Sequence, residues 1–160
     1  MGKAKIVFDK CLYTIQIYGM EVVMYFKPSF ESKIKIPFAF SPVCAGFPSP
    51  ATDYIDKKID LNEHIVKHPE ATFYVRSQGN SMIGAGIHSG DILVVDRSLK
   101  PVNGNIIVAI MDGEFTVKRL YIKQNKIILA AENDSYKNIF ITEGMDFEIW
   151  GVVTTVIHSV

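Results

Sequence analysis

The sequence of residues 106–121 is IIVAIMDGEFTVKRLY. Two runs of β-branched and apolar residues flank the dipeptide Asp112-Gly113, and this pattern predicts a β-hairpin with a type I′ turn. Side chains of a strand alternate between its two faces, so Thr116 and Lys118 are predicted to share one face. The predicted hairpin therefore places a lysine in a strand whose other residues are mostly apolar or β-branched.

The same strand pattern continues on both sides of this hairpin. Strands are predicted over residues 73–76, 92–95, 106–111, 115–121, 126–131 and 147–158, with Gly, Asn and Asp turns between them. One short helix is predicted over residues 60–68, because Asp60 can cap its start, Glu63 follows three residues later and Pro69 stops it. The predicted fold class is mostly β: a twisted, partly closed antiparallel β body with one short helix.

Prolines set the N-terminal part of the chain apart from this body. Five of the seven lie between residues 28 and 50. Such spacing excludes a helix and opposes strand pairing, because proline has no amide N–H. Residues 1–50 are therefore predicted to form an extended, partly mobile arm, and residues 51–160 the β-rich domain. Alternating apolar residues over 34–40 favour docking of the arm over free disorder.

Composition narrows the class of protein. A chain of 160 residues with 48% hydrophobic content can bury one core. No apolar run near its start reaches the roughly 20 residues of a membrane span, and no secretory leader pattern opens the chain. We expect a cytoplasmic protein without a membrane partner. Because 17 basic and 17 acidic residues cancel, tight direct binding of DNA is not expected. Cys11 and Cys44 are interpreted as free thiols.

Metal and phosphate motifs are weak in this sequence. His64 and His68 are spaced four residues apart, but no third ligand and no zincin pattern accompany them. His88 and His158 are the other two histidines of the chain. All four are interpreted as surface histidines. The glycines that follow Ser81 are interpreted as turn formers, because no Lys-Ser or Lys-Thr pair completes a phosphate loop. The sequence predicts no metal site and no cofactor.

A candidate nucleophile and base are present. Ser81 begins the run SMIGAGIHSGD, and Lys118 follows 37 residues later. A neutral lysine can take the proton of a serine hydroxyl, and burial lowers the pKa of a lysine toward neutrality. The backbone amides of Asn80 and Ser81 are the candidate oxyanion hole. Taken in isolation, a turn-capping serine and a solvated strand lysine would be the simpler interpretation.

The proline-rich segment offers a candidate substrate. Ala45 and Gly46 are small on both sides of one peptide bond, which permits close approach to a narrow site, and neighbouring prolines keep the segment extended. The bond between Cys44 and Ala45 is the neighbouring alternative. Without the Ser81–Lys118 pair, this stretch would be interpreted as an ordinary linker.

Taken together, these motifs resemble the LexA/UmuD family of self-cleaving serine-lysine proteins, and within it the UmuD branch. The likeness runs from about residue 24 to the C-terminus. It includes AGFPSPA at 45–51, the 81–91 run, GEFTVKR at 113–119, ENDSY at 132–136 and WGVV at 150–153.

This resemblance implies a fold like the LexA/UmuD C-terminal domain and self-cleavage at Ala45-Gly46 by Ser81 and Lys118. It also implies that a RecA filament on single-stranded DNA stimulates the cut and that the protein is a homodimer. The processed form, residues 46–160, is then expected to work with an error-prone translesion DNA polymerase of the UmuC type. Residues 1–23 lie outside the resemblance, and their role stays open.

Three rival classes are weighed against this interpretation. A LexA-like or phage-type repressor shares the catalytic body but needs a helix-turn-helix, which the proline-rich residues before the cut do not predict. Signal peptidase also uses serine and lysine but needs a membrane anchor. A catalytically idle binding module would leave its own mass unchanged on incubation.

Overall fold

The computed structural model describes residues 12–13, 25–26, 35–39, 55–124 and 126–160. These residues fall into two compact units, the smaller within residues 29–67 and the larger within residues 1–28 and 68–160. In chain order the elements are β1 (Leu12–Tyr13), β2 (Tyr25–Phe26), β3 (Ile36–Ala39), β4 (Ile55–Ile59), α1 (Leu61–Ile65), β5 (Thr72–Arg76), β6 (Ile92–Asp96), β7 (Ile106–Met111), β8 (Glu114–Lys123), β9 (Lys126–Ala130), β10 (Ile139–Phe140) and β11 (Phe147–Ile157).

The larger unit is built on one sheet of nine strands in the order β1-β2-β5-β6-β11-β7-β8-β9-β10. Every neighbouring pair in this order is antiparallel. The predicted antiparallel β body is thus confirmed, and the pairing of the described strands leaves it open, with β1 and β10 at its edges. The six predicted strands correspond to β5, β6, β7, β8, β9 and β11, with ends that differ by at most two residues.

The hairpin of β7 and β8 has the predicted turn. Met111 pairs with Glu114, and the two residues between them have positive φ, 49° at Asp112 and 83° at Gly113. Positive φ at both central positions is the type I′ geometry, which suits the right-handed twist of the strands. The hairpin places Lys118 opposite Ile107 in the register.

Strand β7 is buried on both faces, which explains its continuous apolar sequence. Val108 belongs to one core cluster with Leu93 and Trp150, whereas Ile107 belongs to another with Leu129. Each fully buried aliphatic side chain of this kind contributes about 1.5–3 kcal/mol relative to an exposed one. Strand β7 is therefore tightly packed, and its pairing with β8 holds the strand that carries Lys118 in a defined position.

The short helix begins where predicted but ends earlier. The Asp60 carboxylate accepts hydrogen bonds from the backbone N–H groups of Asn62 at 2.9 Å and Glu63 at 3.3 Å, so Asp60 is the N-cap. The helix ends at Ile65, three residues before the predicted end, because Val66 is extended and buried. A β-branched residue suits an extended backbone better than a further helical turn.

The smaller unit corrects one expectation about the prolines. Strands β3 and β4 form a two-stranded sheet in which Pro37 pairs with Lys58. Proline was expected to oppose pairing, but both strands of a two-stranded sheet are edges, where a missing amide N–H is tolerated. Ala45 and Gly46 lie between β3 and β4 in the sequence and outside the described residues. The division into an arm of residues 1–50 and a domain of residues 51–160 stays a prediction.

Candidate active site

Ser81 lies on a loop between β5 and β6 that is closed at its base. The backbone N–H of Ser77 donates to Asp91 O at 2.8 Å, and that of Gly90 donates to Ser77 O at 2.9 Å. Within the loop, residues 83–85 form a single 3₁₀ turn, and Met82 is 3% exposed. A buried residue directly after the serine anchors the loop, so the Ser81 hydroxyl has a defined position.

A second segment, residues 132–133, is hydrogen-bonded to the same loop. The Glu132 N–H donates to Ser81 O at 2.8 Å, Gly84 N–H donates to Glu132 O at 2.7 Å, and the Asn133 side-chain amide donates to Asn80 O at 2.9 Å. A Cβ on Gly84 would lie 2.5 Å from Glu132 O, so only glycine permits this approach. The sequence did not predict this contact, although ENDSY at 132–136 was among the motifs of the resemblance.

Lys118 meets Ser81 inside the larger unit. Its Nζ donates to Ser81 Oγ at 2.9 Å, to Thr116 Oγ1 at 3.2 Å and to the carbonyl oxygen of Val117 at 2.9 Å. Thr116 is two residues away on the same strand face, as predicted. The structure thus brings together the two residues that the sequence singled out, 37 positions apart, and adds Thr116 and Val117 as partners of the amine.

The environment of Lys118 disfavours its charged form. The residue is 8% exposed, and among the described residues its amine has only neutral oxygens as partners. Burial removes water from the ammonium, and this desolvation lowers the pKa of Lys118 below the ordinary lysine value. A lysine with a lowered pKa is more often neutral, which is the form that can accept a proton.

A cleft of about 570 Å³ opens beside Ser81. Its lining includes Ser81, Ser89 and Gly90 from the loop, and Phe115, Thr116 and Val117 from β8. Lys118 is absent from the lining, so a group in the cleft would meet the hydroxyl first. Among the described residues we find no acceptor for the amide N–H groups of Asn80 and Ser81. The two amides stay the candidates for binding a carbonyl oxygen, and of the two residues only Ser81 lines the cleft.

A buried carboxylate, Asp96, lies away from the cleft and contacts an exposed histidine, His68. Asp96 is 3% exposed, and its carboxylate contacts His68 Nδ1 at 2.5 Å and accepts hydrogen bonds from Ser98 N at 2.8 Å and Ser98 Oγ at 2.6 Å. Burial alone would raise the pKa of Asp96, but the bonds from Ser98 and His68 outweigh it and hold that pKa below its usual value. His68 is a structural partner of this carboxylate.

A hydroxyl held against a buried lysine, at the edge of a cleft in an antiparallel β body, is the arrangement that a serine hydrolase with lysine as its base would need. Comparison with known proteins agrees with this class. Residues 37–154 match the Peptidase S24-like family. The chain belongs to this family, the LexA/UmuD-like self-cleaving serine peptidases. Similarity to the proteins SamA and ImpA shows that within this family the chain is UmuD-like and acts in SOS mutagenesis.

Two of the similar proteins match this chain over most of their own length. Protein SamA of Salmonella typhimurium is 49% identical over 115 residues, 72% of this chain and 79% of SamA. Protein ImpA of Escherichia coli is 43% identical over 131 residues, 82% of this chain and 89% of ImpA. The LexA repressor of Magnetococcus marinus is 38% identical over 130 residues, 81% of this chain but 55% of the repressor.

Proposed function

We propose that Ser81 is the nucleophile and Lys118 the general base of a self-cleavage reaction at Ala45-Gly46. The observation that carries this proposal is the 2.9 Å contact between Ser81 Oγ, at the edge of the cleft, and the Nζ of Lys118, which is only 8% exposed. The neutral amine takes the hydroxyl proton, and Ser81 Oγ attacks the carbonyl carbon of Ala45. The developing oxyanion is stabilised by the amide N–H groups of Asn80 and Ser81.

Collapse of this intermediate breaks the Ala45–Gly46 bond. The Lys118 ammonium gives its proton to the departing amine of Gly46, and an ester between Ala45 and Ser81 remains. Lys118, neutral again, then takes a proton from water, which hydrolyses the ester and restores the serine. Val117 O and Thr116 Oγ1 support the ammonium while it carries the proton.

The proposed substrate segment follows from its residue types. Ala45 and Gly46 are small enough for close backbone approach beside Ser81, and the prolines around them favour an extended chain. A cut one residue earlier, after Cys44, is the alternative register. Fragment masses distinguish the two, because the products differ by the mass of one alanine.

The proposed biological role extends the family assignment. A RecA filament on single-stranded DNA stimulates the cut, and residues 46–160, as a homodimer, serve a UmuC-like translesion DNA polymerase in the cytoplasm. Similarity to SamA and ImpA over most of their length supports this role. Balanced charge supports a protein that acts through partners and does not bind specific DNA sequences itself. Among the described residues, no helix combines the length and apolarity that crossing a bilayer needs.

The second candidate is a self-cleaving transcriptional repressor of the LexA or phage type. Two observations favour the mutagenesis role: identity is higher to SamA and ImpA, and the chain matches 79–89% of their lengths against 55% of the LexA repressor. Specific operator binding by the purified protein at physiological salt would reverse this order.

One experiment tests the reaction, the site and the dependence together. Purified protein is incubated with and without RecA filament on single-stranded DNA, and intact masses are followed over time. We expect two fragments that end at Ala45 and begin at Gly46, formed faster with filament. Ser81→Ala should stay uncut. A cut elsewhere, or cleavage of Ser81→Ala at the parent rate, would refute the proposed site.

A further inference from the structure

Asp91 is a buried carboxylate in the loop that carries Ser81. It is 5% exposed, and its Oδ2 accepts the backbone N–H of His88 at 2.7 Å. This bond and the contact with His158 fix the orientation of the carboxylate. Among the described residues, neither Ser81 nor Lys118 contacts it.

Two histidines converge on this carboxylate from distant parts of the chain. His158, which follows β11, places Nδ1 2.7 Å from Asp91 Oδ1. His88 Nδ1 lies 3.7 Å from Asp91 Oδ2, and the two imidazole rings are 4.9 Å apart between centroids. One potential ligand atom from each of the three residues can be chosen so that all lie within 4.8 Å of one another.

We propose that His88, Asp91 and His158 form a binding site for one divalent transition metal ion, with zinc as the expected occupant. Two ligand atoms of a tetrahedral zinc ion lie roughly 3.4 Å apart, given bonds of about 2.0–2.1 Å. One ligand atom from each of the three residues lies within 4.8 Å of the other two, so small rotations of the rings would bring them to this spacing. The 2.7 Å hydrogen bond between His158 Nδ1 and Asp91 Oδ1 would be replaced by bonds to the metal. Imidazole nitrogen and carboxylate oxygen are ligands that zinc accepts readily.

The exposure of the three side chains suits a metal that enters from solvent. The Asp91 side chain is 4% exposed, whereas those of His88 and His158 are 52% and 45% exposed. A rigid buried carboxylate supplies the charge, and two half-exposed rings can turn by small amounts to complete the coordination. The backbone bond from His88 to Asp91 Oδ2 acts as the outer support that orients a ligand. Water can occupy the fourth position.

The Asp96–His68 pair shows what separates this cluster from a simple hydrogen-bonded pair. Its carboxylate also contacts a histidine Nδ1, but the remaining bonds come from Ser98, and only one imidazole is near. A second imidazole beside Asp91 makes three ligands instead of two. This site was not predicted from the sequence, because His158 lies 67 positions from Asp91 and no motif links them.

Zinc binding to the full-length chain tests the proposal without any measurement of cleavage. All variants carry Cys11→Ser and Cys44→Ser, so that thiols cannot bind the metal. Equilibrium dialysis and titration calorimetry with ZnCl₂ should give one ion per chain for the parent. His88→Gln and His158→Gln should each weaken binding by at least about tenfold. Co²⁺ as a probe should give a visible absorption band that the same two substitutions abolish.

His68→Gln is the matched control, because it removes an exposed histidine that contacts a buried aspartate outside the cluster. It should bind zinc as the parent does. No binding by the parent, unchanged binding in either cluster variant, or an equal loss in His68→Gln would each overturn the site. The result is independent of the proposed self-cleavage, because neither Ser81 nor Lys118 takes part in the measurement.

Discussion

Lys118 and Asp96 are both buried ionisable side chains, 8% and 3% exposed, yet their surroundings are opposite. Asp96 has a histidine and two Ser98 donors that stabilise its charge, whereas Lys118 has three neutral oxygens and no described carboxylate. Burial lowers the pKa of the lysine and hydrogen bonds lower that of the aspartate. The fold therefore stabilises the ionised form of the aspartate and favours the neutral form of the lysine, which is the form that the proposed reaction needs.

The largest expected effect comes from fixing the charge at position 118. Lys118→Arg keeps a donor beside Ser81 but cannot become neutral, because a guanidinium stays protonated at any usable pH. Self-cleavage should fall by about a thousandfold or more, the scale seen when one member of a catalytic set is removed. Intact mass over time measures it. Lys123→Arg, at the exposed end of the same strand, is the control and should cut like the parent.

The pH dependence of self-cleavage should follow the Lys118 titration. Because burial lowers the pKa of Lys118, the neutral fraction and the rate rise with pH through that lowered value, by up to about tenfold per pH unit. The rate should level off below about pH 10.4, where an unperturbed lysine titrates. Initial rates without RecA filament, measured from pH 6 upward in one buffer series, test this. A rate independent of pH would contradict lysine as the base.

Asp96→Asn tests whether the charge of Asp96 stabilises the folded protein. The substitution removes the charge that His68 and Ser98 stabilise, and we expect a loss of about 1–3 kcal/mol in the free energy of unfolding. Asp134→Asn, an exposed carboxylate, is the control and should change little. Because the pKa of Asp96 is lowered, its contribution is present above about pH 3.9 and is lost as the pH falls through the folded value. Urea denaturation at several pH values measures both effects.

The smallest expected effect is a gain in stability. Lys118→Met removes a buried amine that has no carboxylate partner among the described residues, so the free energy of unfolding at neutral pH should increase by about 0.5–2 kcal/mol while cleavage is lost. Between the lowered folded pKa and the ordinary value, unfolded chains bind more protons at this lysine, so the parent gains stability as pH rises. The advantage of the methionine variant should shrink toward pH 10. Equal stability of both proteins at every pH would show that burial of Lys118 costs nothing.

The sequence predicted local structure better than contacts between distant segments. Strand alternation and the Asp112-Gly113 turn fixed the β7–β8 hairpin, because its pairing is set by neighbours in the chain. Strand β10 was missed, since two residues carry no period, and β4 was missed because Lys57 and Lys58 interrupt its apolar pattern. Both depend on pairing with another segment.

The same limit applies to the site. The Ser81–Lys118 pair came from motif order, and their 2.9 Å contact agrees with it. No periodicity indicates that Glu132 would fasten the Ser81 loop or that Val117 O would bind the amine. The first is a tertiary contact between segments without a spacing signature, and the second depends on the side-chain conformation that Lys118 adopts in the folded protein. The cut at Ala45-Gly46 lies outside the described residues and stays a prediction.

Every described part of the proposed catalytic apparatus lies on the C-terminal side of the proposed cut. After the release of residues 1–45, the remaining fragment 46–160 would still contain Ser81, Lys118 and Thr116. It would also contain Glu132, whose backbone hydrogen bonds hold the Ser81 loop. Each chain therefore has one bond to cleave, and cleavage of that bond removes none of its described catalytic groups. A processed molecule would keep the means for repeated turnover on uncut copies, so a small processed fraction would accelerate the conversion of the rest.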